Sequence, residues 1–144
     1  DIIDKLIEAS RAGVDVTLIV RGICTLLPGI KYVSENIKIY RIVDMFLEHS
    51  RIYKFANNGE EKIYLSSADM LSRNLNRRIE VAFPLYDEKH IEEINTIIQL
   101  QLEDNTKRRT INSEGTNELD ILGIDEPRRA QTEIYNWIGE CNME

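Results

Sequence analysis

The 144 residues are 42% hydrophobic and 30% charged, a balance that excludes a disordered, collagenous or low-complexity chain and allows one core of ordinary size. The longest apolar runs, such as Val16 to Val20, are too short to span a bilayer, and the expectation is a protein without signal peptide or membrane span. The net charge of −7 is unevenly spread: residues 1–84 carry twelve Lys or Arg against eleven Asp or Glu, and residues 85–144 six against fourteen. A general nucleic-acid binder is therefore disfavoured, and any anionic ligand is expected to meet the first part. Cys24 and Cys141 lie far apart, with no CxxC or His-rich neighbour. They make neither a disulfide framework nor a zinc site, so a reducing, cytoplasmic compartment is expected.

In chain order, Ile2, Ile3, Leu6 and Ile7 fall on one helical stripe, with Asp1 and Asp4 in the first turn and Gly13 as a stop. A helix at the first residue, without leader or cap, reads as the middle of a longer chain. Val16 to Val20 predicts a parallel strand covered on both faces, followed by Arg21 at the carboxyl edge where open α/β sheets place ligands. Residues 22–36, with Pro28-Gly29 and Ser34-Glu35-Asn36, predict an irregular loop, and Ile37 to Val43 the next strand. Arg51 to Ala56 and Lys62 to Ser66 predict a hairpin closed by Asn57-Asn58-Gly59-Glu60-Glu61. Arg78 to Phe83 reads as a strand stopped by Pro84, and Ile91, Ile94, Ile97 and Ile98 mark a helix from about Asp87 to Glu103. Residues 104–126 read as polar and turn-rich. A closing helix from about Pro127 to Glu140 presents Ala130, Ile134, Trp137 and Ile138 on one face.

Two histidines are present. His90 stands in a solvated acidic helix start and reads as a surface residue. His49, at the entry to a strand, shares a strand face with Arg51. An imidazole that donates, accepts or attacks, beside a planar fork of donors, makes a sensible phosphate site. The alternative is a half-buried histidine paired with Glu48. A second cluster, Ser66-Ser67-Ala68-Asp69 followed by Arg73 to Glu80, offers hydroxyls and three arginines to an extended anion; it also suits a short-helix cap with a solvated basic rim.

Ile19-Val-Arg-Gly-Ile-Cys24, Pro28-Gly29, Ser34-Glu-Asn-Ile37, Phe46-Leu-Glu-His-Ser-Arg-Ile-Tyr53, Ser66-Ser-Ala-Asp69 and Arg73-Asn-Leu-Asn-Arg-Arg-Ile-Glu80, in this order, resemble the C-terminal catalytic domain of polyphosphate kinases. The resemblance continues through Leu102 to Arg109 and the closing Arg129 to Trp137 helix. It implies an α/β fold with a phospholipase D-like mixed β-sheet flanked by helices and C-terminal helices. Residues 1–104 would form the catalytic domain proper, and residues 105–144 a polar linker and closing helix packed on it. The superfamily pattern His-x-Lys-x4-Asp with Gly-Ser-x-x-Asn is altered here: Arg51 replaces the lysine, Ala56 the aspartate, Ser66-Ser67 the Gly-Ser and Met70 the asparagine. Those departures speak against phosphodiesterase chemistry.

The resemblance further implies that ATP phosphorylates a histidine in a preceding domain, which passes the phosphoryl group to a growing polyphosphate chain. Arg21 and His49 would contact the nucleotide phosphates, with His49 opposing the nucleophilic histidine. Arg51, Arg73 and Arg78 would line the polyphosphate path, and Glu80 would orient His49. Magnesium is expected, with its ligands outside this chain, so no metal-ligating residue is assigned within it. The implied partners are ATP or ADP, inorganic polyphosphate, the N-terminal domains of the same polypeptide and further copies of it. Nucleic acid is not among them, and membrane association would be peripheral at most, on the inner membrane. The isolated chain is expected to be inactive. Rival readings are a polyanion-binding or assembly module without turnover, and a phospholipase D-like phosphodiesterase.

Overall fold

In the computed structural model, which describes residues 1–119 and 126–141, the opening apolar stripe folds into helix α1 (Ile2–Arg11). Leu6 and Ile7 pack on a core of Leu26, Ile37, Ile39 and Ile111, joined by Val16, Leu18, Val20 and Cys24. Gly13, at φ +84°, turns the chain after the helix, a left-handed conformation that costs glycine little. Ser10 is fully buried in α1. Its hydroxyl accepts from the Asn36 backbone N–H at 3.2 Å and its carbonyl from the Asn36 side-chain amide at 2.8 Å, which fastens the helix to the entry of β2 (Ile37–Ile42).

Strand β1 (Val16–Val20) pairs parallel with β2, Val16 opposite Ile37 through Val20 opposite Arg41. The parallel pairing is as expected, but full coverage is not. β1 is the edge of a four-stranded sheet of order β1-β2-β6-β7, and its side chains are half-buried or exposed. The crossover is the expected irregular loop. It is held by Ser34, whose buried hydroxyl donates to the Leu27 carbonyl at 2.6 Å and accepts from the Ile30 N–H at 3.2 Å.

Residues 104–119, expected to be turn-rich, instead complete this sheet. Strand β6 (Arg108–Ile111) pairs antiparallel with β2, and β7 (Asn117–Leu119) with β6. The charged sequence conceals the strand because Arg108 is buried with its guanidinium 4.4 Å from the centre of the Tyr40 ring, a cation–π contact that keeps a charge inside. The Asn112 side chain shapes the β6–β7 turn by accepting from the N–H groups of Glu114 and Thr116, both at 3.0 Å. Residues 120–125 of the expected polar stretch lie outside the described residues. The closing helix α4 (Ala130–Cys141) starts three residues later than predicted, at Ala130, whose N–H donates to the Asp104 carboxylate. These pieces, Asp1–Leu47 and the chain from Ile98 onward, form one unit; Glu48–Ile97 form a second.

In the second unit β3 (Ile52–Phe55) and β4 (Lys62–Ser66) make the expected hairpin, Ile52 opposite Leu65 through Phe55 opposite Lys62. Asn57, Asn58 and Gly59 all take positive φ, 45°, 55° and 94°, a run that asparagine tolerates and glycine favours. Helix α2 (Ser72–Arg77) follows, then β5 (Ala82–Pro84) beside β4. The strand predicted over Arg78 to Phe83 is thus shorter and later. Its first half is held by side chains, because the Ser67 hydroxyl takes the Val81 N–H at 3.0 Å and Glu80 turns toward Ser67. Helix α3 (Glu88–Glu103), which from Ile98 on belongs to the first unit, carries Asn95, which accepts from Lys54 at 2.6 Å and donates to Glu61 at 3.1 Å. The Lys54 ammonium, 2.8 Å from Glu61, and the Asn95 amide hold the Glu61 carboxyl below its ordinary value. The whole is a mixed α/β fold with sheets flanked by helices. No helix among the described residues is long and apolar enough to cross a membrane.

Candidate functional site

Arg21 follows directly on β1, half-buried at the carboxyl end of a parallel strand, the position from which an α/β sheet presents a ligand-binding side chain. It belongs to the first unit. The other five candidates belong to the second, where the chain gathers a polar cluster around the entry to β3 and the exit from β4.

His49 is exposed and lies outside any strand or helix, just ahead of β3. Its carbonyl accepts from Arg51 Nη1 at 3.0 Å. Arg51 Nε and Nη2 both donate to Asp69 Oδ1, at 3.0 and 2.8 Å. All three guanidinium nitrogens of Arg51 are thus engaged within the protein. Asp69 is held in turn by its own loop: the Ser66 hydroxyl accepts the Ala68 N–H at 3.1 Å and the Tyr53 hydroxyl donates to the Ala68 carbonyl at 3.1 Å.

Each carboxylate oxygen of Glu80, the residue expected to orient His49, accepts from another side chain. Ser67 donates to one at 2.5 Å and Asn74 Nδ2 to the other at 2.8 Å. These bonds, led by Ser67, hold the Glu80 carboxyl below its ordinary value, since each favours the ionised form. Asn74 is buried on α2 and was not singled out from the sequence. Nothing in its spacing marks it, for it meets Glu80 only after the chain turns at Arg78. Arg73 and Arg78 are exposed, Arg73 donating weakly to Asn74 at 3.4 Å. His90 is the exposed residue expected, its ring nitrogen 3.2 Å from Asp87.

The profile described as "Polyphosphate kinase C-terminal domain 2" matches residues 1–131. The chain belongs to this family. The domain is 50% identical over 134 residues to a polyphosphate kinase of Bacillus cereus, covering 93% of this chain and 19% of that protein. It is 44% identical over 137 residues to a polyphosphate kinase of Escherichia coli, covering 95% and 20%. The crystal structure of polyphosphate kinase from Porphyromonas gingivalis superposes with a TM-score of 0.90 at 45% identity, over 96% of this chain and 21% of that one. The domain therefore spans about a fifth of the length of the curated relatives it matches.

Among the described residues no three His, Cys, Asp or Glu side chains converge to hold a metal ion. Asp69 and Glu80, the acids of the cluster, are bound to Arg51 and to Ser67 with Asn74, so this cluster does not fit a magnesium ion.

Proposed function

We propose that this domain supplies half of the active site of a polyphosphate kinase, an enzyme that reversibly transfers the terminal phosphate of ATP to a growing polyphosphate chain. In this reading the phosphorylated histidine and the magnesium ligands lie in the polypeptide outside this domain, and His49 faces that histidine across the transferring phosphoryl group. Phosphoryl transfer spreads negative charge over the moving oxygens, so donors fixed around it stabilise the transition state more than the ground state. His49 serves as hydrogen-bond donor or proton carrier, and Arg21 holds the nucleotide phosphates. Arg73 and Arg78, both exposed, guide the polyphosphate; the excess of acid beyond residue 84 keeps that path off α3. The enzyme would work in the cytoplasm as an assembly of copies.

One observation carries the reading: an exposed imidazole at residue 49, on a backbone pinned by a guanidinium, in a chain whose close relatives bear the name polyphosphate kinase. The test is polymer synthesis from ATP by the full-length protein with His49→Ala. Synthesis is expected to be lost, and retention of more than a few per cent of it would overturn the role of His49.

A further inference from the structure

We infer that Arg51 is a positioning residue for His49 and not a cation of the polyphosphate path. The inference rests on the reading of His49 proposed above. Arg51 sits two residues beyond His49 and folds back on it, so that one fork bridges the His49 carbonyl and the Asp69 carboxylate. The far anchor is firm. The Ser66 N–H donates to the Arg51 carbonyl at 2.9 Å, and Tyr53 holds the Ala68 carbonyl one residue before Asp69. The near end, at His49, lies outside any strand or helix.

The pair is also a poor polyanion contact. The Arg51 side chain is 17% exposed and lies against a carboxylate, so the fields of the two charges largely cancel at the distance of a passing phosphate. An ammonium is a point donor and does not reproduce a planar fork spanning two acceptors. Lysine at this position would keep the charge and lose the bridge.

That difference gives the test, made in the full-length kinase with Arg51→Lys, Arg51→Gln, Asp69→Asn and the Arg51→Gln/Asp69→Asn double variant. Displacing a reacting group by about an ångström costs roughly a hundredfold in rate. The clamp therefore predicts that kcat falls by about tenfold to a hundredfold in every variant, Arg51→Lys included, with KM for polyphosphate within about twofold of the parent. Because both residues serve one bridge, the double variant should be no worse than the poorer single one. A polyanion-lining role predicts otherwise. Arg51→Lys would resemble the parent, Arg51→Gln would raise KM and flatten its salt dependence, and Asp69→Asn, which removes a negative charge, would lower KM. That pattern would overturn the inference. His49→Ala run alongside separates the two levels: activity kept there refutes the reading of His49 itself, whereas activity lost there with the lining pattern refutes only the clamp.

Discussion

Asp104 is completely buried at the junction of α3, β6 and α4, and the sequence marks it only as the start of a polar stretch. One carboxylate oxygen accepts from the backbone N–H groups of Thr106, Lys107 and Arg108 at 2.9, 2.6 and 3.1 Å, and the other from that of Ala130 at 2.8 Å. Asp104→Asn keeps the size and removes one of the two acceptors. Whichever way the amide turns, an NH2 group confronts a backbone N–H. The loss of one charge-assisted bond, together with a buried donor left unpaired, gives about 3 kcal/mol of destabilisation. For a domain of this size that corresponds to a fall of about 6–12 °C in Tm. The chain's single tryptophan, Trp137, lies on α4, so urea unfolding followed by its fluorescence reports on the element Asp104 anchors, with circular dichroism as the global check. A midpoint unchanged in Asp104→Asn would refute the claim that this carboxylate joins α4 to the sheet.

Acid should weaken the same region through Asp44. Arg129, donating to Asp44 through Nε at 2.7 Å and through Nη2, holds that carboxyl below its ordinary value. The unfolded chain then takes up this proton at a higher pH than the folded one, so the pair's contribution is complete at neutral pH. It is lost as the pH falls through the ordinary aspartate range to the folded value. Between neutrality and roughly pH 3 the parent should lose more stability than Asp44→Asn; parallel curves would contradict the pairing. In the hairpin, Gly59→Ala should cost about 1 kcal/mol from its left-handed backbone alone, since no atom lies within 4 Å of the added Cβ. Equal denaturation midpoints would show that the turn relaxes.

Legibility in the sequence held where one local signal decided the structure. The α1 stripe, the parallel strand ahead of Arg21 and the Asn-Asn-Gly hairpin each follow from a short periodicity or a turn residue. It failed where a side chain is rescued by a distant partner. β6 reads as loop because Arg108 and Arg109 look solvated, whereas the Tyr40 ring, far back in the chain, and the Leu102 carbonyl make a buried arginine acceptable. β5 is misplaced because Glu80 and Val81 are drawn to Ser67 by bonds that periodicity does not register. The site divides in the same way. Histidine and arginine at residues 49 and 51 are visible as a pair, but the bridge from Arg51 to Asp69, and the capture of Glu80 by Ser67 and by Asn74 of α2, depend on how segments apart in sequence meet.

The most direct test of the proposed half-site is equilibrium titration of ATP into the full-length protein, beside Arg21→Ala and His49→Ala. Each charge-assisted contact to a phosphate is worth about 1.5 to 3 kcal/mol, so each variant should weaken ATP binding by roughly tenfold to a hundredfold. Unchanged ATP affinity in both variants would place the nucleotide elsewhere and contradict the account.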